Sequence, residues 1–153
     1  MKHRSLFLVG VFAVGLALLV VACPSPGDVA LKARALSYLK VANDISASKE
    51  FFSPKIQDAL GSATGRISAA TLALPGIPMA LTSATSDQLA KISAESIHTR
   101  TQGKWGQVRF TFESATGPRQ MSTVWVRVNG QWYVFAATDG EIHEYGKPPV
   151  FVD

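Results

Sequence analysis

The sequence predicts an α+β domain in which N-terminal helices pack on a curved, four-stranded antiparallel meander, with a cleavable leader in front. Three observations carry that expectation. From Val29 onward Leu31, Ala35, Tyr38, Ala42 and Ile45 recur at three- and four-residue steps, which places them on one face of a helix. After residue 91 the spacing of apolar residues changes to two, the period of a strand. Near the end Asn129-Gly130 stands between two such runs, the strongest short-range signal for a hairpin.

The leader comes first in the chain. Lys2-His3-Arg4 is basic, residues 6–21 form a sixteen-residue apolar run, and Val20-Val21-Ala22-Cys23 precedes a proline-rich break. A basic start, an apolar run of this length and a small residue at the cleavage position make an export signal. The run is shorter than the ~20 apolar residues a spanning helix wants, and it is closed by Pro24 and Pro26. Its last four residues resemble the lipobox of bacterial lipoproteins. That resemblance implies a signal peptide over 1–22, a diacylglyceryl group on the Cys23 sulfur and cleavage before it. Residues 23–27 then read as the lipidated cysteine with a short proline-rich spacer, and 28–153 as one domain. The expected location is outside the cell, anchored by lipid to the cell membrane or the outer membrane.

Composition narrows the function of the mature part. Removing Lys2 and Arg4 leaves 13 basic residues against 11 acids, a formal charge of +2 (13 − 11). The basic residues are scattered rather than striped, which argues against a nucleic-acid partner. With Cys23, the only cysteine, committed to lipid, none is left for a disulfide or a thiolate metal site. His98 and His143 are the only mature histidines and have no metal-ligand spacing, so no metal or other cofactor is expected. Residues 61–65 lack the Gly-Lys-Ser/Thr sequel of a phosphate loop, and no Gly-x-Ser-x-Gly elbow occurs.

Within the domain, Asp28 is the expected cap of the first helix. Asn43-Asp44 weakens that helix, and residues 45–52 can form a second. Ser53-Pro54 is a start signal for a third, carrying Ile56, Ala59 and Leu60 before Gly61. Residues 65–74 have helical character, 75–78 break the chain, and Ser86-Asp87 can cap another turn. Strands are expected over 92–101, 105–114, 121–128 and 131–138. Gln102-Gly103 and Asn129-Gly130 supply tight turns between them, and 114–118 a longer one.

If Asn129-Gly130 is a two-residue turn, Val128 faces Gln131, Val126 faces Tyr133 and Val124 faces Phe135. One face of the hairpin then carries Val124, Val126, Val128, Tyr133 and Phe135, and the other carries Thr123, Trp125, Arg127, Trp132 and Val134. Arg127 lies opposite Trp132, where it can stack. Both faces are largely apolar, whereas a sheet with one wet side alternates cleanly. One side should therefore cover the helices and the other should meet something else.

The capped first helix, the Asn-Asp break, the Phe-Phe-Ser-Pro segment at 51–54 and a meander ending in Val-Asn-Gly-Gln-Trp-Tyr-Val resemble the nuclear transport factor 2-like, or cystatin-like, superfamily. More narrowly, Gly130, Trp132 and Val134 match the Gly-x-Trp-x-[Ile/Val] hairpin of small bacterial lipoproteins of unknown function within it. The resemblance implies a cone, with helices on the concave side of a bent sheet and a central hole that some members use as an active site. Plain patterning favours the uncharged face of Val124, Val126 and Val128 as core, but the resemblance implies that the Trp and Val of the hairpin pattern point to the helices, which puts Trp125, Trp132 and Val134 inside, with Tyr38 and His98 as further pocket candidates. The face of Val124, Val126, Val128, Tyr133 and Phe135 is then left for a partner, and in related folds that surface often makes a dimer.

Catalytic members of the superfamily place an Asp, His or Tyr inside the cone. Here Tyr38, His98, Asp139 and His143 are of the right type, but no pair is spaced to tune a pKa, so no catalytic residue is assigned. Trp105, Trp125 and Trp132 with Phe110 and Phe112 are better explained as sheet core than as a base-stacking platform, since no basic groove runs beside them. The favoured expectation is a non-catalytic binding or assembly module on the cell envelope. It would engage the membrane through Cys23 and recognise an envelope protein, a small apolar ligand or a second copy. The alternative is a small isomerase or dehydratase with His98 or Tyr38 in the pocket.

Overall fold

A computed structural model describes residues 25–62, 77 and 84–152. The leader, the lipobox with Cys23 and the expected helical turns at 65–74 lie outside the described residues.

Helix α1 (Pro26–Leu39) starts earlier than expected, and its cap is Ser25 rather than Asp28. Ser25 Oγ accepts from the Asp28 N–H at 3.1 Å, and Asp28 Oδ2 accepts in return from Ser25 N–H at 3.3 Å and Oγ–H at 2.6 Å. This reciprocal box satisfies backbone donors that the first turn leaves free. Pro26 occupies the first helical position, where its fixed φ suits a helix and its missing N–H costs nothing. Pro26 and Gly27, read as spacer, therefore belong to the helix, with Ser25 as its cap.

Helix α2 (Ile45–Ser48) begins after Asp44, whose Oδ1 accepts from the Ala47 N–H at 3.1 Å, and runs into a 3₁₀ turn over Lys49–Phe51. Helix α3 (Pro54–Ser62) opens at the expected Ser-Pro. Arg34 ties α1 to the 3₁₀ turn, its guanidinium lying 4.0 Å over the Phe51 ring and donating to the Glu50 carbonyl at 2.9 Å. Helix α4 (Ser86–Ala90) is capped by Thr85 with Gln88 in a second reciprocal box.

The four strands β1 (Ile97–Gln102), β2 (Trp105–Ser114), β3 (Gly117–Val128) and β4 (Gln131–Val134) form one open antiparallel sheet in the order β1-β2-β3-β4. The last hairpin has the expected register, with Val128 opposite Gln131, Val126 opposite Tyr133 and Trp125 opposite Val134. Asn129 and Gly130 both have positive φ, 50° and 83°, as a type I′ turn demands. β1 is shorter than expected, because Ala94–Ser96 is a 3₁₀ turn, and Gln102 stays in the strand opposite Trp105. β3 is longer. Ser114 Oγ donates to the Gly117 carbonyl at 2.7 Å and accepts from the Thr116 N–H at 3.3 Å, which closes a tight turn where a longer one was expected. Strand β4 ends at Val134, and Ala137 takes a positive φ of 56° as the chain turns toward helix α5 (Asp139–Tyr145).

Helix α1 lies on the face of Trp125. Its buried side chains Leu31, Ala35, Tyr38 and Leu39 join Val108, Phe110, Trp125, Trp132 and Val134 in the main core. Gly106 lets the helix approach, since a Cβ there would lie 2.5 Å from Leu31 Cδ2 and 3.1 Å from the Trp132 ring. At the β4 edge Phe52 forms a parallel bridge to Val134, and this brings the segment before α3 alongside the sheet.

The opposite face is divided. On β1 and on β2 beyond Trp105 it is polar, carrying His98, Arg100, Gln107 and Arg109. On the last hairpin and at Trp105, the first residue of β2, it is apolar and covered by the chain's own C-terminal segment. Trp105, Val126 and Phe135 are buried there, with Ile142, Tyr145 and Phe151 packed against them. Trp105 and Phe135 meet edge to face, their ring centroids 5.0 Å apart.

Candidate functional site

The residues expected to line an interior pocket come together, apart from His98. Tyr38 is the hub. Its ring lies 5.7 Å from Phe51, 6.3 Å from Phe52 and 5.7 Å from Trp125, the last two edge to face. Each such contact contributes about 0.5–1.5 kcal/mol beyond area burial. Trp125 is fully buried and still satisfied, its Nε1–H donating to Thr123 Oγ1 at 2.9 Å. Trp132 and Val134 complete the cluster. Burial pushes the Tyr38 hydroxyl far above the ordinary tyrosine range and no charged group offsets it, so Tyr38 is held as a neutral, uncharged phenol.

His98 stands apart because alternation sends it to the other face. Its cross-strand partner is Arg109, and its side chain is exposed. It borders a surface groove of about 400 Å³ between α1 and the edge strand β1, lined also by Val29, Lys32, Leu36 and Ile97. His143 is exposed on α5, and Asp139 is its first residue. The histidines and Asp139 do not converge with Tyr38. Among the described residues no group of His, Cys, Asp or Glu side chains is arranged to hold a metal ion.

The apolar face expected to stay open is only partly so. Val126 and Phe135 are shut beneath the C-terminal segment, and Val124, Val128 and Tyr133 are half-buried at its margin. The sequence predicts one domain over 28–153 but no helix or strand after residue 138, so it leaves this face without its cover.

One constellation was missed entirely. Glu141, to which the sequence assigned no role, is completely buried. Its Oε1 accepts from the Ser53 hydroxyl at 2.5 Å, and its Oε2 accepts from the Ala136 N–H at 2.9 Å and from the Thr138 N–H and Oγ1–H at 3.4 Å. A buried carboxylate persists only when its lone pairs are filled in this way. The Tyr145 hydroxyl lies beside Ser53 and the Lys55 backbone. Burial first, and then the charges of Glu144 and Glu141, raise its pKa. Ser53, expected to cap α3 with its side chain, gives that helix its carbonyl and turns its hydroxyl to Glu141 instead.

The cluster contains a hydroxyl and a carboxylate in short contact, but it lacks an imidazole, and Ser53 is wholly buried. It works as a latch that joins α3, the end of the sheet and α5. The sequence signal for it was Thr138-x-x-Glu141, a capping box ahead of Ile142.

Among the described residues no helix is long and apolar enough to cross a membrane. The chain matches no protein-family model, no curated protein and no solved structure.

Proposed function

We propose that this protein is a lipid-anchored module of the cell envelope that binds or assembles through its surface rather than catalysing a reaction inside the fold. The supporting observation is the interior, where Tyr38, Phe52 and Trp125 fill with rings the space in which a pocket acid or base would meet a substrate. The order of elements, helices and then an antiparallel meander with the Trp132 face toward α1, is compatible with a nuclear transport factor 2-like cone of the filled kind. The leader and the Cys23 motif supply the anchor. More than one acyl chain, at about 0.8 kcal/mol per buried CH2, holds a protein on a bilayer stably. The isomerase or dehydratase reading is weaker, since Tyr38 is kept protonated and His98 lies on the face away from α1.

The full chain expressed in a bacterium tests the proposal in two steps. Metabolic labelling with palmitate should mark it and membrane fractions should retain it, with both lost in Cys23→Ala. Labelling that survives the substitution ends the anchor. Native mass spectrometry of the detergent-extracted chain should give the polypeptide and its acyl groups alone. A stoichiometric metabolite in that spectrum would return the argument to an interior pocket.

A further inference from the structure

We propose that the end of the sheet bearing the Gly103-Lys104 and Asn129-Gly130 turns rests on the membrane and engages anionic phospholipid headgroups through Lys104 and Arg127. The inference rests on the lipid anchor proposed above and adds an orientation to it. Its starting point is the length of chain between Cys23 and the folded domain. Ser25 already caps α1, so a single residue, Pro24, separates the helix cap from the lipidated cysteine. At about 3.3–3.6 Å per residue, Ser25 lies within roughly 7 Å of Cys23 whatever the conformation between them. A domain tethered so closely cannot present an arbitrary side to the bilayer.

The side it must present is fixed by the contacts of Ser25. Its Oγ lies 3.4 Å from Thr101 Oγ1, and Thr101 is two residues ahead of the Gly103-Lys104 turn. That turn is in turn bonded to the last hairpin, since the Arg127 N–H donates to the Lys104 carbonyl at 2.7 Å. The start of α1 and both turns therefore share one end of the molecule.

The chemistry of that end suits an anionic interface. Lys104 and Arg127 are exposed, and each is laid on an indole, Lys104 Nζ 5.8 Å from the Trp105 ring centroid and the Arg127 guanidinium 5.5 Å from that of Trp132. From Ile97 to Val134 the only acidic residue is Glu113, which pairs with Pro118 at the far end of the sheet, and Asp28 in the first turn of α1 is engaged by the N–H and hydroxyl of Ser25. In the first turn of α1, beside the anchor, Val29 is 55 % exposed. Basic side chains within a Debye length of an anionic leaflet are attracted to it, and an apolar side chain at the same level can enter the headgroup region.

The test uses the mature lipidated chain in vesicles of phosphatidylcholine, with or without phosphatidylglycerol. Because the Cys23 sulfur is held in the thioether to diacylglycerol, a spin label attaches only to a new cysteine, Gln131→Cys near the anchor or Ala115→Cys at the opposite turn. On phosphatidylglycerol vesicles the Gln131 position should be shielded from a water-soluble relaxant while Ala115 stays accessible. Each basic residue should favour the docked orientation by about fivefold. The shielding should therefore fall in Lys104→Gln/Arg127→Gln, vanish in Lys104→Glu/Arg127→Glu, weaken on pure phosphatidylcholine and fade in about 1 M salt, where the Debye length is ~3 Å. Thermal melts of both double variants should stay near the parent and show that folding is intact. Equal accessibility at the two positions overturns the proposal and leaves the anchor standing, as does shielding that survives charge reversal, which assigns the contact to protein. A chain that fails to float with the vesicles removes the anchor itself, and this inference with it.

Discussion

The two faces of the sheet are closed by different means. Toward α1, closure is aromatic and aliphatic, built from Tyr38, Trp125, Trp132, Phe110 and their neighbours, with Gly106 letting the helix settle onto β2. On the other face, apolar residues are few and the cover is a short helix with an extended tail, pinned by the hydrogen bonds of Glu141. The first kind of closure is spread over many contacts, and losing one weakens the whole fold. The second kind is concentrated in one carboxylate whose loss should release one segment.

The largest effect expected is therefore from Trp125→Ala, at about 3–5 kcal/mol, because it opens a cavity the surrounding rings cannot fill. Chemical denaturation should show it as one cooperative transition moved to lower denaturant. A change of under 1 kcal/mol would mean the rings do not bear on stability as the first face implies.

Glu141→Ala should cost about 2–3 kcal/mol, since Ser53 Oγ–H and the Ala136 N–H lose their acceptor inside the protein. Here the distinctive readout is hydrogen exchange. Amides of α5 should lose protection while those of β2 and β3 keep most of theirs. Uniform loss across the sheet would show that the two faces are not separable.

Alkaline titration sharpens the contrast further. Tyr38 has its pKa raised by burial, whereas in the unfolded chain a tyrosine ionises near 10. Below about pH 10 both states carry the proton and stability is undiminished. Above it only the unfolded state ionises, so stability falls by about 1.4 kcal/mol per pH unit. Tyr145 contributes with the same sign. Tyr38→Phe should flatten this decline by roughly one such unit of slope, and an unchanged slope would place the loss elsewhere. The smallest effect belongs to Arg127→Ala, about 0.5–1 kcal/mol from the exposed contact over Trp132, which a thermal melt can detect.

Legibility in the sequence followed where the deciding contact lies. β2 spans 105–114 as its alternation and flanking turn signal require, and Asn129-Gly130 set the register of the last hairpin by its own backbone preference. The turn after Ser114 was harder to see, since Ala115 and Thr116 carry no turn signature and the closure comes from the Ser114 hydroxyl. Ser25 was misread because proline and glycine after it suggested a spacer, although proline at a first helical position is equally a start signal. At the C-terminus Thr138-x-x-Glu141 held the necessary spacing, but a polar heptapeptide gives little apolar periodicity to support a helix.

By itself the sequence determined the local elements: that helices lie at α1 and α3, where β2 runs, the register of the last hairpin, and which residues alternate to each side of the strands. These follow from helix and strand periods and from turn and cap chemistry, which act over a few residues. Tertiary structure alone decided which face meets α1, what covers the other face, and that Glu141 is buried. Those outcomes depend on partners far apart in the chain, Ser53 and Glu141 being 88 residues apart. Burial turns a side chain that would otherwise be solvated into the acceptor that the Ser53 hydroxyl and the Ala136 N–H require.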